Sequence, residues 1–143
     1  MIRPLIRDGN DCRRYQHHRY FYLPTDQIRW AEQLLEQEPI WAAPMLWRSE
    51  FRNVLAFYMR KKIIDLETAL TLQQEAEELL HDHEFEIPSL KVLSLVAHSS
   101  CSAYDCEFVG VAQLLNTRLV TEDKKILKEF PETAYSLKAF LNE

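Results

Sequence analysis

Apolar residues recur at helical spacing through most of this chain, interrupted by a few short apolar runs that end at proline or at polar caps. In TDQIRWAEQLLEQ, residues 25 to 37, Ile28, Ala31, Leu34 and Leu35 share one stripe behind Thr25, which predicts a capped helix of about three turns. PIWAAP, bounded by Pro39 and Pro44, is short and apolar throughout and fits a buried strand. From Pro44 to Lys62 the residues Trp47, Phe51, Val54, Leu55 and Tyr58 return to helical spacing. Asp65 is placed to cap LETALTLQQEAEELLH, and Ser89, after Pro88, opens LKVLSLVAH. CSAYDCEFVGVAQLL carries the stripe Phe108, Val111, Ala112 and Leu115, again a helix. TRLVTED predicts a brief strand at Leu119 and Val120 that hands over at Thr121 to the helix EDKKILKEF, and TAYSLKAFLNE reads as a last strand with a short helix.

Strands alternating with helices over 143 residues predict one α/β domain, a small sheet flanked by helices, which binds ligands at the carboxyl ends of its strands. Only two glycines, Gly9 and Gly110, argue against a glycine-rich phosphate loop or a turn-rich all-β fold. No apolar run reaches the roughly 18 residues of a membrane span, and MIRPLIRDGND lacks the apolar centre of a signal peptide. A cytoplasmic protein is expected, in keeping with three irregularly spaced cysteines, Cys12, Cys101 and Cys106, that make no disulfide framework. The net charge of -5 confines any nucleic-acid contact to a local patch, of which Arg60, Lys61 and Lys62 form the best.

Three carboxylates stand where packing would place apolar or capping groups. Glu50 follows Trp47 by three residues and precedes Val54 by four, so helical geometry puts it on the buried stripe. A buried carboxylate needs a partner, either an arginine such as Arg48 or Arg52, or a metal. Asp105 lies three residues after Ser102 in a capping-box pattern, yet shares its face with Phe108 and Ala112. Asp123 stands at a strand-to-helix handover, where an acidic first turn behind Thr121 already suits the helix dipole. Taken singly, each has a structural explanation. Together they describe a hard-cation site for Mg²⁺ or Mn²⁺ at one sheet edge, able to activate water and neutralise charge on a phosphodiester. His81 and His83 read as surface residues at a helix end, and His98, Cys101 and Cys106 lack a zinc spacing.

LWRSEFRNVL, then SAYDCEFVGVAQLL, then LVTEDKKILKEFP resembles the PIN-domain family, above all the VapC-like toxin ribonucleases of bacterial toxin-antitoxin pairs, across residues 20 to 143. The resemblance implies metal binding by Glu50, Asp105 and Asp123 with Thr121 in support, and cleavage of single-stranded RNA. It also implies control by a cognate antitoxin protein, and toxin dimerisation. No membrane association is expected. The departure lies at residues 1 to 19. There the family has a buried strand ending in an aspartate, in a pattern like VVDTN, where this chain has CRRYQHHR. Reading the codons of Cys12 to Arg19 one base later, with CGN arginine codons, permits VVDTNTIA, which runs into YFYLPTDQ; a methionine start is allowed across Asp8 and Gly9. One base missing near Arg19 and Tyr20 accounts for the change. The alternative is a catalytically inactive PIN remnant that binds an antitoxin or RNA, and a third reading is a helical interaction domain without a site.

Overall fold

A computed structural model of the chain describes residues 5, 6, 33, 36, 37 and 40 to 142. Strand β1 is Leu5–Ile6, β2 is Trp41–Pro44, and helix α1 is Trp47–Arg60. Helix α2, Leu66–Leu79, leads to β3, Glu84–Phe85, and then to α3, Ser89–Ala97. Helix α4 is Ala103–Leu114, β4 Arg118–Val120, α5 Lys124–Glu129, β5 Ala134–Tyr135 and α6 Leu137–Leu141. In the stretch predicted as a helix from Thr25, the described Gln33, Glu36 and Gln37 are helical and exposed, as polar positions off the apolar stripe should be. The rest of that prediction lies outside the described residues.

The caps explain most helix boundaries. Asp65 opens α2 by accepting from the Thr68 N–H at 2.8 Å, and Ser102 opens α4 by accepting from the Asp105 N–H at 3.1 Å. Helix α5 differs from expectation. Its cap is Asp123, which accepts from the N–H groups of Lys125 and Ile126, while Thr121 sits two residues earlier and accepts from the Asp123 N–H. Helix α1 starts at Trp47 and not at Pro44, because Pro44 is the last residue of β2 and the turn at Met45–Leu46 intervenes.

Five strands form one mixed sheet in the order β3-β2-β1-β4-β5. β3 runs parallel to β2 and β5 parallel to β4, while β1 runs antiparallel to both β2 and β4. The four outer strands therefore share one direction, and a strand of two residues occupies the centre in reverse. This corrects the expectation that residues 1 to 19 supply no strand. Leu5 pairs with Ala42 on one side and Leu119 on the other, and Ile6 with Trp41 and Arg118. β3 escaped sequence reading, because two half-buried residues after an exposed turn carry no alternation to detect.

Helix α4 is the centre of the core. Cys106, Phe108, Val109, Gly110, Val111 and Ala112 are all buried, far more than a single stripe, and a helix apolar all round needs neighbours on several faces. It packs against β1, β2 and β4, and against α3. At Gly110 a Cβ would meet Ile87 Cγ2 at 3.1 Å, so the α3 side approaches closely there. Trp47, Phe51 and Leu55 carry the same core through α1, and Leu119 and Ile126 carry it past β4.

Candidate functional site

The carboxyl ends of the parallel strands, at Pro44, Phe85, Val120 and Tyr135, lie along one edge of the sheet. Glu50 sits in the first turn of α1, just past the end of β2, and is half-buried. Asp123 lies three residues past the end of β4 and is also half-buried. Asp105 reaches the same edge by a different route. Because α4 hands over to the start of β4 within a few residues, its opposite end, with Asp105 in the first turn, lies beside the carboxyl ends. The topology thus carries all three expected carboxylates to one edge. Among the described residues, no group of three or more His, Cys, Asp or Glu side chains that could hold a metal ion is formed. Carboxylate oxygens are the donors that Mg²⁺ and Mn²⁺ take, so the donor chemistry of these three residues fits such an ion.

Two of the three residues also take part in opening a helix. Asp123 Oδ1 lies 2.9 Å from Lys125 N and 3.1 Å from Ile126 N, satisfying two N–H groups that open α5. Asp105 donates its backbone N–H to Ser102 Oγ, the N-cap bond that opens α4. Glu50, Asp105 and Asp123 each take part in further interactions as well. Thr121, only 3 % exposed, is the one buried polar side chain among the described residues. Its backbone N–H donates to the Tyr135 carbonyl oxygen while its hydroxyl holds the Asp123 N–H at 3.1 Å, so it fixes the turn that presents Asp123.

The arginine expected beside Glu50 is engaged elsewhere. Arg48 donates through Nε to Glu84 Oε2 at 2.6 Å and through Nη2 to Glu84 Oε1 at 2.7 Å, a two-pronged pair, with Glu77 3.5 Å from Nη1. Trp47 Nε1–H donates to the same Glu84 Oε2 at 2.8 Å. Arg48 and Arg52 stand two residues to either side of Glu50, a spacing that does not bring helical side chains face to face. The Arg48 hydrogen bond, followed by the Trp47 donor, holds the Glu84 carboxyl below its ordinary range against the opposing effect of burial. Glu84 went unremarked in the sequence because its partners are 36 and 37 residues away.

Other neighbours of the edge were also not foreseen. Ser100 Oγ donates to Glu129 Oε1 at 2.7 Å, and Glu122 Oε1 accepts from the Leu137 N–H at 2.8 Å. Burial raises the Glu107 carboxyl on α4 above its ordinary value. Burial, followed by the charge of Asp105, raises the Cys101 thiol; burial also raises the Cys106 thiol, opposed by a hydrogen bond from Ser99 and reinforced by Asp105. The histidines behave as expected of surface groups. His81 and Asp82 pair at 3.0 Å in an exposed turn, His83 Nδ1 reaches the His81 carbonyl at 2.9 Å, and His98 Nδ1 reaches the Ser94 carbonyl at 2.8 Å.

Neither a known family model nor a curated protein matches the chain. The described residues form a mixed α/β structure, and no helix among them is long and apolar enough to cross a membrane.

Proposed function

We propose that the chain is a PIN-like, metal-dependent endoribonuclease of the VapC toxin type, acting on single-stranded RNA and restrained by a cognate antitoxin protein. The observation that carries this reading is the shared edge: Glu50, Asp105 and Asp123 come from three separate elements and reach the carboxyl ends of strands that run in one direction. A hard divalent cation bound there would neutralise phosphate charge and lower the pKa of a bound water. On the protein side, Glu50, Asp105 and Asp123 are the ligands of this proposal. Thr121 is a positioning residue that holds the turn before Asp123. Arg60, Lys61 and Lys62, exposed at the end of α1, are the cationic groups nearest in character to a phosphate contact.

The test is Mg²⁺-dependent cleavage of single-stranded RNA by the intact protein. Asp105→Asn keeps the shape of the side chain and should abolish the reaction; unchanged cleavage would remove the metal assignment.

A second reading, a PIN remnant that binds an antitoxin or RNA without cutting, is favoured by one specific observation: CRRYQHHR stands where the family pattern has a strand ending in a fourth carboxylate. Calorimetric titration with Mn²⁺ separates the two, since a remnant should show weak or no binding. Sequencing of the encoding DNA across codons 8 to 22 bears on the same choice. A further base near codons 19 and 20 would replace CRRYQHHR by a strand ending in a fourth carboxylate and favour the nuclease. Confirmation of CRRYQHHR would favour the remnant.

A further inference from the structure

Ser102 is the N-cap of α4, which makes Cys101 the residue just before the cap and Cys106 the fourth residue of the helix. In a helix entry of this kind those two positions pack against each other as an apolar staple that sets the angle at which the chain enters. Both positions are cysteine here, and both side chains are buried, Cys101 at 4 % exposure and Cys106 at 0 %. One hydroxyl bridges the two residues. Ser99 Oγ accepts from the Cys101 N–H at 3.3 Å and lies 3.9 Å from Cys106 Sγ.

We infer that Cys101 and Cys106 form a redox-closable pair, a dithiol that becomes a disulfide across the first turn of α4. The oxidant is a low-molecular-weight disulfide such as oxidised glutathione. One cysteine thiolate attacks a sulfur of that disulfide and expels one thiol, and the other cysteine then displaces the second thiol from the mixed disulfide. Two protein thiols and one small disulfide thus become one protein disulfide and two small thiols. Because both sulfurs are buried, exchange proceeds through opening of the first helical turn, which makes it slow while leaving the equilibrium to the staple geometry. Closure would tie Ser102, Ala103, Tyr104 and Asp105 into a small ring and hold the turn that presents Asp105. The inference rests on the helix entry and is independent of any nuclease activity.

The full chain, with a Cys12→Ser partner protein to remove the third thiol, is equilibrated in glutathione buffers of increasing oxidation under native conditions. Intact mass and peptide mapping are then read. The expected result is a peptide link between Cys101 and Cys106 and loss of alkylation at both in either protein, with loss of two hydrogen atoms in the Cys12→Ser protein and the same loss, with or without one glutathione added at Cys12, in the full chain. Cys101→Ser and Cys106→Ser should each lack the link. Dithiols that persist at the most oxidising poise, or a link that forms only in urea, would overturn the inference. So would a cross-link that requires Cys12.

Discussion

At the residue scale a three-bond polar contact joins Glu84 to Arg48 and Trp47. The Glu84 side chain is only 12 % exposed, so removing its charge leaves a two-pronged guanidinium and an indole N–H with poorer partners. Glu84→Gln should cost about 1 to 3 kcal/mol, read by urea denaturation at neutral pH. The carboxyl is held below its ordinary range in the folded chain. Its contribution is therefore present above the unfolded-state value of about 4.3 and is lost as pH falls through the lower folded value. The gap between wild type and Glu84→Gln should close on acidification through that window. Glu107 has the opposite sign. Burial raises its folded value, so the ionised form opposes folding above that value and the cost vanishes below the unfolded one. Glu107→Gln should raise the melting temperature at neutral pH and leave it unchanged in acid.

At the element scale the packing of α4 decides the outcome of substitutions more than helix propensity does. Gly110→Ala gains up to about 1 kcal/mol of propensity in a helix interior. Against this, the new methyl must press Ile87 Cγ2, 3.1 Å away, to yield by a few tenths of an ångström. Ile87 is half-buried, and the strain of displacing it offsets the propensity gain, so stability should stay within about 0.5 kcal/mol of wild type. Gly110→Leu has no such relief and should cost at least about 2 kcal/mol in the same denaturation assay. The helix itself was legible in the sequence from its stripe and from Ser102. Its burial all round was not, because a single apolar stripe says nothing of what covers the remaining faces. Pro44 misled for a related reason. It is common at helix starts, but here its fixed φ and missing N–H are accommodated at the end of a short strand whose partner, β3, has too few residues to be seen in the sequence.

At the scale of the whole molecule the sheet depends on its shortest central member. β1 supplies two residues, and each pairs with both β2 and β4. Ile6→Pro deletes one backbone donor from this strand and should destabilise the chain by more than about 1 kcal/mol in urea. A stability unchanged by Ile6→Pro would mean that β2 and β4 stay together without the strand between them. The candidate site is also a property of this scale. Glu50, Asp105 and Asp123 were legible one by one, from a stripe, a capping box and a strand end. Their common edge follows from strand order and from the short passage between α4 and β4.

The sequence by itself determined the described helices, the caps at Asp65 and Ser102, the strands at Trp41 and Leu119, and the three carboxylates. These signals are written within one or two turns of chain, where residue spacing fixes which side chains are neighbours. Tertiary structure alone decided the reversed central strand, the partnership of Arg48 with Glu84 across 36 residues, and the common sheet edge of the three carboxylates. Each of these depends on which distant segments pack together, and that choice is made by the burial of the whole core.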